Sequence, residues 1–273
     1  MKLIIFFIVI AVAIFLVLKN KVNFSSKINY FSYLENLYPK FKNNFEENNK
    51  YTNLNNVDKV YCVVMPQRKD YMRDIFNKMG INYTFFNAIT PKNVTGYEYN
   101  QLSTTNVSGS KLYNHPTRLA LQMSFTMCFM DAIKNGYSTI IIFEDDIVVN
   151  NITTLAKSIS DFKDSNFVFF YMGYCWMNCK QNFIKNNLID VPDKKLFCCH
   201  AICYKVKYLK DLIISMYPMD NNFDDNVDNF IKNNNYNVCI SPTTFFDQNR
   251  SQLETLNEDD NDGNLPNCNK NFI

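Results

Sequence analysis

A mainly parallel, doubly wound α/β sheet flanked by helices is the fold class that the sequence predicts. Two observations carry it. From residue 57 onward, short apolar runs of strand length alternate with segments of helical periodicity. The apolar runs are continuous rather than alternating, which suits strands buried on both faces. A third feature precedes this domain: Leu3 to Leu18 is an unbroken apolar run of 16 residues between Lys2 and Lys19.

That run is a little shorter than the roughly 20 residues of a typical span, and longer than the usual core of a signal peptide. No small-x-small cleavage site follows it. We read residues 1–19 as an uncleaved transmembrane signal anchor, touching the membrane through residues 3–18. Residues 20–56 are polar and rich in Asn and Lys, with one short amphipathic stretch at Phe31, Leu34, Leu37 and Tyr38; they read as a stem. The domain then occupies 57–251, and 252–273 is an acidic, Asn-rich tail.

Within the domain, Val60–Met65 reads as a buried strand ended by Pro66. Asp70–Met79 has helical spacing and is stopped by Gly80. Tyr83–Ile89 reads as a second strand, and 90–115 as a long loop. Pro116 opens a helix that runs to Asn135. Ser138–Phe143 is the strongest strand. A helix over 152–162, strands at Phe167–Tyr171, Leu196–Tyr204 and Tyr236–Ile240, and helices at Val206–Met216 and Asp225–Lys232 complete the pattern.

Composition narrows the function. The net charge is +2 and no basic stripe appears, so nucleic acid is excluded as the expected partner. Six of the nine cysteines fall between Cys175 and Cys239, a crowding that suits an oxidising compartment. Counting flanking lysines would put the C-terminal side in the cytosol, but the charge difference is about one unit. We therefore expect a single-pass protein with its domain in the ER or Golgi lumen, or another extracytoplasmic space. Six Asn-x-Ser/Thr sequons add little, because chance gives about four in so Asn-rich a chain. Cys175-x₃-Cys179 and Cys198-Cys199-x₃-Cys203 lack the usual zinc spacing; disulfides between the loop after Tyr171 and the strand near Cys198 are the preferred reading. His115 and His200 read as structural.

The informative stretch is Ile140-Ile141-Ile142-Phe143-Glu144-Asp145-Asp146. Ligands of open α/β sheets bind outside the carboxyl ends of the strands, and three carboxylates follow this one directly. In extended geometry Glu144 and Asp146 share a side and Asp145 faces the other. Two hard oxygen donors on one side suit Mn²⁺ or Mg²⁺, against the alternative of an exposed acidic turn. A cation there would neutralise a leaving nucleoside diphosphate, and a carboxylate would deprotonate the attacking hydroxyl. Asp224, Asp225 and Asp228, at the start of a predicted helix, are candidates for that base, or else caps of the helix.

These residues resemble glycosyltransferase family 25, which includes lipooligosaccharide and procollagen galactosyltransferases. Four blocks over 58–251 carry the resemblance: Val63 to Asp70; Phe85 to Ile89; Ser124 to Asp146; and Ala201 to Tyr204 with Pro242 to Ser251. The resemblance implies a GT-A fold, a UDP-sugar donor (often UDP-galactose), Mn²⁺ and an inverting transfer to a hydroxyl on a glycan, protein or lipid. It places Arg68, Asp70, Ser124 and Asp145 at the donor, Glu144 and Asp146 at the metal, and Asp225 or Asp228 at a downstream acidic position. Tyr71 stands where the family usually has a second Arg, and Phe125 where it has His. A catalytically inactive, glycosyltransferase-like binding protein is the alternative reading.

Overall fold

The computed structural model describes residues 30–54, 57–103, 116–174, 176–177, 182–185, 188–191, 196–242 and 244–249. The proposed anchor, the tail, His115, Cys175 and Cys179 lie outside the described residues. Among the described residues, no helix is long and apolar enough to cross a membrane.

Among the described residues, with strands numbered in chain order, β7 (Trp176–Met177) and β10 (Leu196–Phe197) pair with each other, and nine other strands form one sheet. Across it lie β1 (Phe45–Asn48), β3 (Tyr83–Asn87), β2 (Lys59–Val64), β4 (Thr139–Phe143), β11 (Ala201–Lys205), β6 (Phe169–Gly173), β12 (Cys239–Ile240), β9 (Leu188–Asp190) and β8 (Asn182–Lys185). β2 pairs in parallel with β3 and β4, and β6 with β12. β1, β9 and β11 run the opposite way. β11 is antiparallel to both β4 and β6. Among the described residues no helix lies between β6 and β11, and an antiparallel return needs no helical crossover. The reversal has a functional consequence: β11 begins at the edge where β4 and β6 end, with Ala201 opposite Phe143 and Gly173.

The all-apolar strands are buried on both faces, as their composition requires. In β4, Ile140 and Ile142 join one core and Ile141 and Phe143 the other. Each such side chain contributes about 1.5–3 kcal/mol of burial. Helices α2 (Lys69–Met79) and α5 (Leu155–Lys163) cover one face with Met72, Phe76, Ile159 and Phe162. Helices α4 (Pro116–Lys134), α6 (Leu209–Met216) and α7 (Phe223–Asn233) cover the other. α4 is apolar nearly all round and most of it is buried, as expected of a helix with core on several sides. α2 ends at Gly80, whose φ of 65° is open to glycine at no steric cost.

Two sequence expectations need correction. The supposed stem is part of the domain over 30–54. A helix at 30–41, α1, buries Leu34, Tyr38 and Phe41 in the core, and β1 adds a strand to the sheet with Phe45 opposite Phe86. Tyr38 and Tyr61 each donate to the Asp131 carboxylate at 2.5 Å, which ties α1 and β2 to α4. An amphipathic stripe needs a surface to bury against, and here that surface is the domain itself. Nor is 90–103 a loop: it holds α3 (Gly96–Leu102), opened by a capping box between Thr95 and Glu98.

Candidate active site

β4 ends at Phe143, and the chain turns at Asp145–Asp146 into β5 (Ile147–Val149). Extended geometry therefore stops at Glu144, and the simple two-sided alternation expected of the three carboxylates does not hold. β5 pairs antiparallel with β13 (Phe246–Gln248), so the end of the domain closes over the carboxylate turn. The Asn249 N–H donates to the Asp146 carbonyl at 2.6 Å. Gln248 Nε2 donates to Glu144 Oε2 at 3.0 Å. Tyr71, on α2, donates to the Ile147 carbonyl at 2.8 Å and accepts from Asn249 Nδ2 at 3.4 Å. The residue found in place of a second Arg thus braces the turn after the carboxylates.

Asp145 is buried, and so is Arg68, from the short 3₁₀ turn after β2. Arg68 Nη1 meets Asp145 Oδ1 at 2.7 Å, and the Met65 N–H donates to Oδ2 at 2.7 Å. One carboxylate thereby pins the carboxyl ends of β2 and β4 together. The sequence reading placed Arg68 and Asp145 separately against the donor; the structure pairs them with each other. Glu144 and Asp146 stay partly exposed. Beneath them the Cys62 thiol is held protonated by burial first, and then by the nearby Asp145 charge.

Two other expected donor residues, Asp70 and Ser124, have protein partners of their own. Asp70 is almost fully exposed and pairs with Arg73 on its own helix. Ser124 is fully buried. Its hydroxyl accepts from the Ile89 N–H at 2.9 Å and donates to the Ala120 carbonyl at 2.8 Å. It fastens the end of β3 to α4. Ser124→Ala should cost about 1–3 kcal/mol, because it leaves the Ile89 N–H unsatisfied, and should leave nucleotide affinity unchanged. Denaturant unfolding alongside a UDP titration checks both halves.

The acidic turn of α7 meets the segment that leads into β11. Asp224 Oδ2 accepts from the Cys198 N–H at 3.1 Å. Two residues on, the His200 carbonyl accepts from the Glu144 N–H at 2.9 Å. The segment 198–200 therefore bridges α7 to the carboxylate turn. His200 is buried, with Nε2 3.2 Å from the Phe246 carbonyl. Its ring lies so near Gly173 that a Cβ there would fall 2.2 Å from Nε2, so residue 173 must be glycine for β6, His200 and β13 to meet. Cys198 is disulfide-bonded, while Cys62, Cys128, Cys199, Cys203 and Cys239 are free and buried.

Asp225 and Asp228 have different surroundings. Asp228 is buried and paired with Lys232. Asp225 is half-buried, and burial raises its pKa, helped by the Asp224 and Asp228 charges and opposed by Arg118 and Lys232. Phe125 stacks on Phe223 at a centroid separation of 4.3 Å. It packs the start of α7 against α4. Sequence reasoning gave no catalytic-site role to Tyr71, His200, Gly173, Gln248 or Asn249. The closing Pro242–Ser251 block was the one signal for Gln248 and Asn249.

A sheet that gathers three carboxylates beyond its central strand, with an arginine fixed beside them, belongs to the class of α/β proteins that bind their ligand at that edge. The family model described as glycosyltransferase family 25 (LPS biosynthesis protein) matches residues 64–219, which is more than half of the 273 residues. The chain belongs to glycosyltransferase family 25. A comparison with curated proteins finds no match. The matched stretch takes in Arg68, Ser124 and Glu144–Asp146; Asp225, Asp228 and Gln248 lie beyond it.

Proposed function

We propose that this glycosyltransferase transfers a hexose from a UDP-sugar to a hydroxyl acceptor on a glycan, protein or lipid, with inversion and with a divalent cation. The observation that carries this reading is the Arg68–Asp145–Met65 lock, which holds the carboxyl ends of β2 and β4 together with the partly exposed Glu144 and Asp146 beside it.

Arg68 withdraws Asp145 from any set of metal donors. Among the described residues, no three His, Cys, Asp or Glu side chains converge as a ready-made cage. Mg²⁺ is usually held by one or two carboxylates, with phosphate oxygens and water completing its shell, and Mn²⁺ favours the same oxygen donors. Glu144 and Asp146 fit a cation that arrives with its nucleotide. When bound, that cation would neutralise charge developing on the departing diphosphate.

Asp225 serves as base in this scheme. It accepts the acceptor's hydroxyl proton as the acceptor oxygen bonds to the anomeric carbon, the bond from that carbon to the diphosphate oxygen breaks, and UDP leaves with the electron pair. Asp228 is less suited, because Lys232 holds its carboxylate. A carboxyl whose pKa is raised, as that of Asp225 is, is a stronger base once ionised. We further propose an extracytoplasmic location behind the anchor at residues 3–18. The disulfide bond at Cys198 supports it.

Titration of UDP into the full chain, with and without Mn²⁺, tests the donor site. We expect metal-dependent binding that weakens by at least about tenfold in Asp146→Asn, as loss of even an outer partner of a metal does. The unfolding temperature should be unchanged. Equal affinity in the variant would remove the metal from the scheme. Nucleotide binding without turnover of any UDP-sugar would favour the inactive, binding-protein reading, for which Phe125 in place of His is the supporting observation.

A further inference from the structure

The first turn of α7 is not held by its own cap. Asn222 occupies the N-cap position, where its side chain would ordinarily bond the helix's free N–H groups, yet it makes no such bond. Its Oδ1 accepts instead from Arg118 Nη1 of α4 at 2.6 Å. One helical turn further along α4, Gln122 Oε1 accepts from Asn226 Nδ2 at 2.8 Å. The other end of the same Gln122 amide donates to the Met216 carbonyl at the end of α6, at 2.9 Å. Asn226 Nδ2 also reaches the Asn221 carbonyl at 3.2 Å. Phe125 and Phe129 then pack on Phe223. Residues 118, 122, 125 and 129 share one face of α4, so that face grips α7 through its opening residues.

Gln122 and Asn226 are almost completely buried. Two buried amides cost stability unless their bonds are made, and an apolar pair of similar volume would fill the space without that demand. A fully bonded polar pair fixes geometry more narrowly than apolar packing does. What it fixes here is the turn that carries Asp224 and Asp225.

We propose that Gln122 and Asn226 form a positioning pair that sets the first turn of α7, and with it Asp225, relative to the carboxyl edge of the sheet. This rests on the reading of Asp225 as the base. The charged groups acting on Asp225 are Arg118 from α4 and Asp224, Asp228 and Lys232 from α7.

The test is an NMR titration of aspartate carboxyl carbons in the full chain, with Asp225 assigned by its absence in Asp225→Asn. Asn226→Leu removes the amide at similar volume. Its Asp225 midpoint should fall toward the ordinary carboxylate value by about 0.5 pH unit or more, as the turn loosens and the carboxyl becomes better solvated. Where Asn226→Leu fails to fold, Gln122→Met keeps the volume, removes the same bond and carries the test. An unchanged midpoint in a folded variant, with only the unfolding temperature lowered, overturns the proposal and leaves the pair a packing element. The second readout is UDP release from UDP-galactose with water as acceptor. Here kcat should fall about tenfold or more while KM for the donor changes little, the mark of a lost transition-state interaction. Should Asp225→Asn release UDP as fast as the natural chain, the base assignment fails, and the titration still decides whether the pair positions the turn.

Discussion

Arg68→Met should destabilise the domain by about 3–5 kcal/mol, the usual cost of breaking a buried ion pair from one side. For a domain of this size that is a fall in Tm of roughly 10 °C. The loss follows from what remains. Asp145 would keep its bond from the Met65 N–H but would hold a negative charge in a site about nine-tenths closed to solvent. The double variant Arg68→Met, Asp145→Asn should regain most of the loss, because an Asn oxygen still accepts from Met65 and no charge is stranded. Thermal unfolding of the two variants decides it. A single-variant loss below about 1 kcal/mol would put the pair among exposed salt bridges and remove the lock between β2 and β4. UDP affinity should fall in the single variant and largely return in the double one.

Asp225→Asn should lower kcat by about 10²–10⁴-fold, the range contributed by a general base, and should raise stability at neutral pH. The second half follows from the direction of the pKa shift. The folded value lies above the ordinary 3.8, with burial the first cause and the Asp224 and Asp228 charges the next. The native state therefore binds this proton more tightly than the unfolded chain does. The stability so gained is complete below the unfolded pKa and disappears as pH rises through the folded one. Above that window the ionised carboxylate opposes folding, and Asn removes the opposition. Transfer by the natural chain should show an acid limb at the same raised value. Parallel pH profiles of kcat and of Tm check both parts. A variant that is both less active and less stable at pH 7 would mean that Asp225 supports the helix more than the chemistry.

Much of the sheet was legible because it is written in contiguous residues. Val60–Met65, Ser138–Phe143 and the helix from Pro116 each carry their own signal, and each lies within a residue or two of its expected place. The position of the three carboxylates directly after β4 was legible for the same reason, but the turn they form was not. What the sequence did not reveal depends on partners far along the chain. Nothing local tells that Asp145 meets an arginine 77 positions earlier, or that Gln248 returns 104 positions later to Glu144. Ser124 sat in a motif, but whether its hydroxyl faces a ligand or a backbone N–H is set by the rotation of α4. The alternation of strands and helices suggested successive parallel crossovers, whereas β11 pairs antiparallel with both β4 and β6. The segment at 30–54 looked detached because its polar residues outnumber the few that anchor it.

The five free thiols among the described residues, distributed between the two cores, would set a time limit on folding in an oxidising compartment. Cys128 and Cys199 belong to one core and Cys62, Cys203 and Cys239 to the other, so every one is reachable until the helices have closed over both faces of the sheet. Oxidants join exposed thiols over seconds to hours. In an oxidising compartment the chain must bury these five within that interval, while leaving Cys198 exposed long enough to find its partner. Speed of closure, and not the finished structure alone, then decides how much of the protein matures with these five sulfurs unpaired.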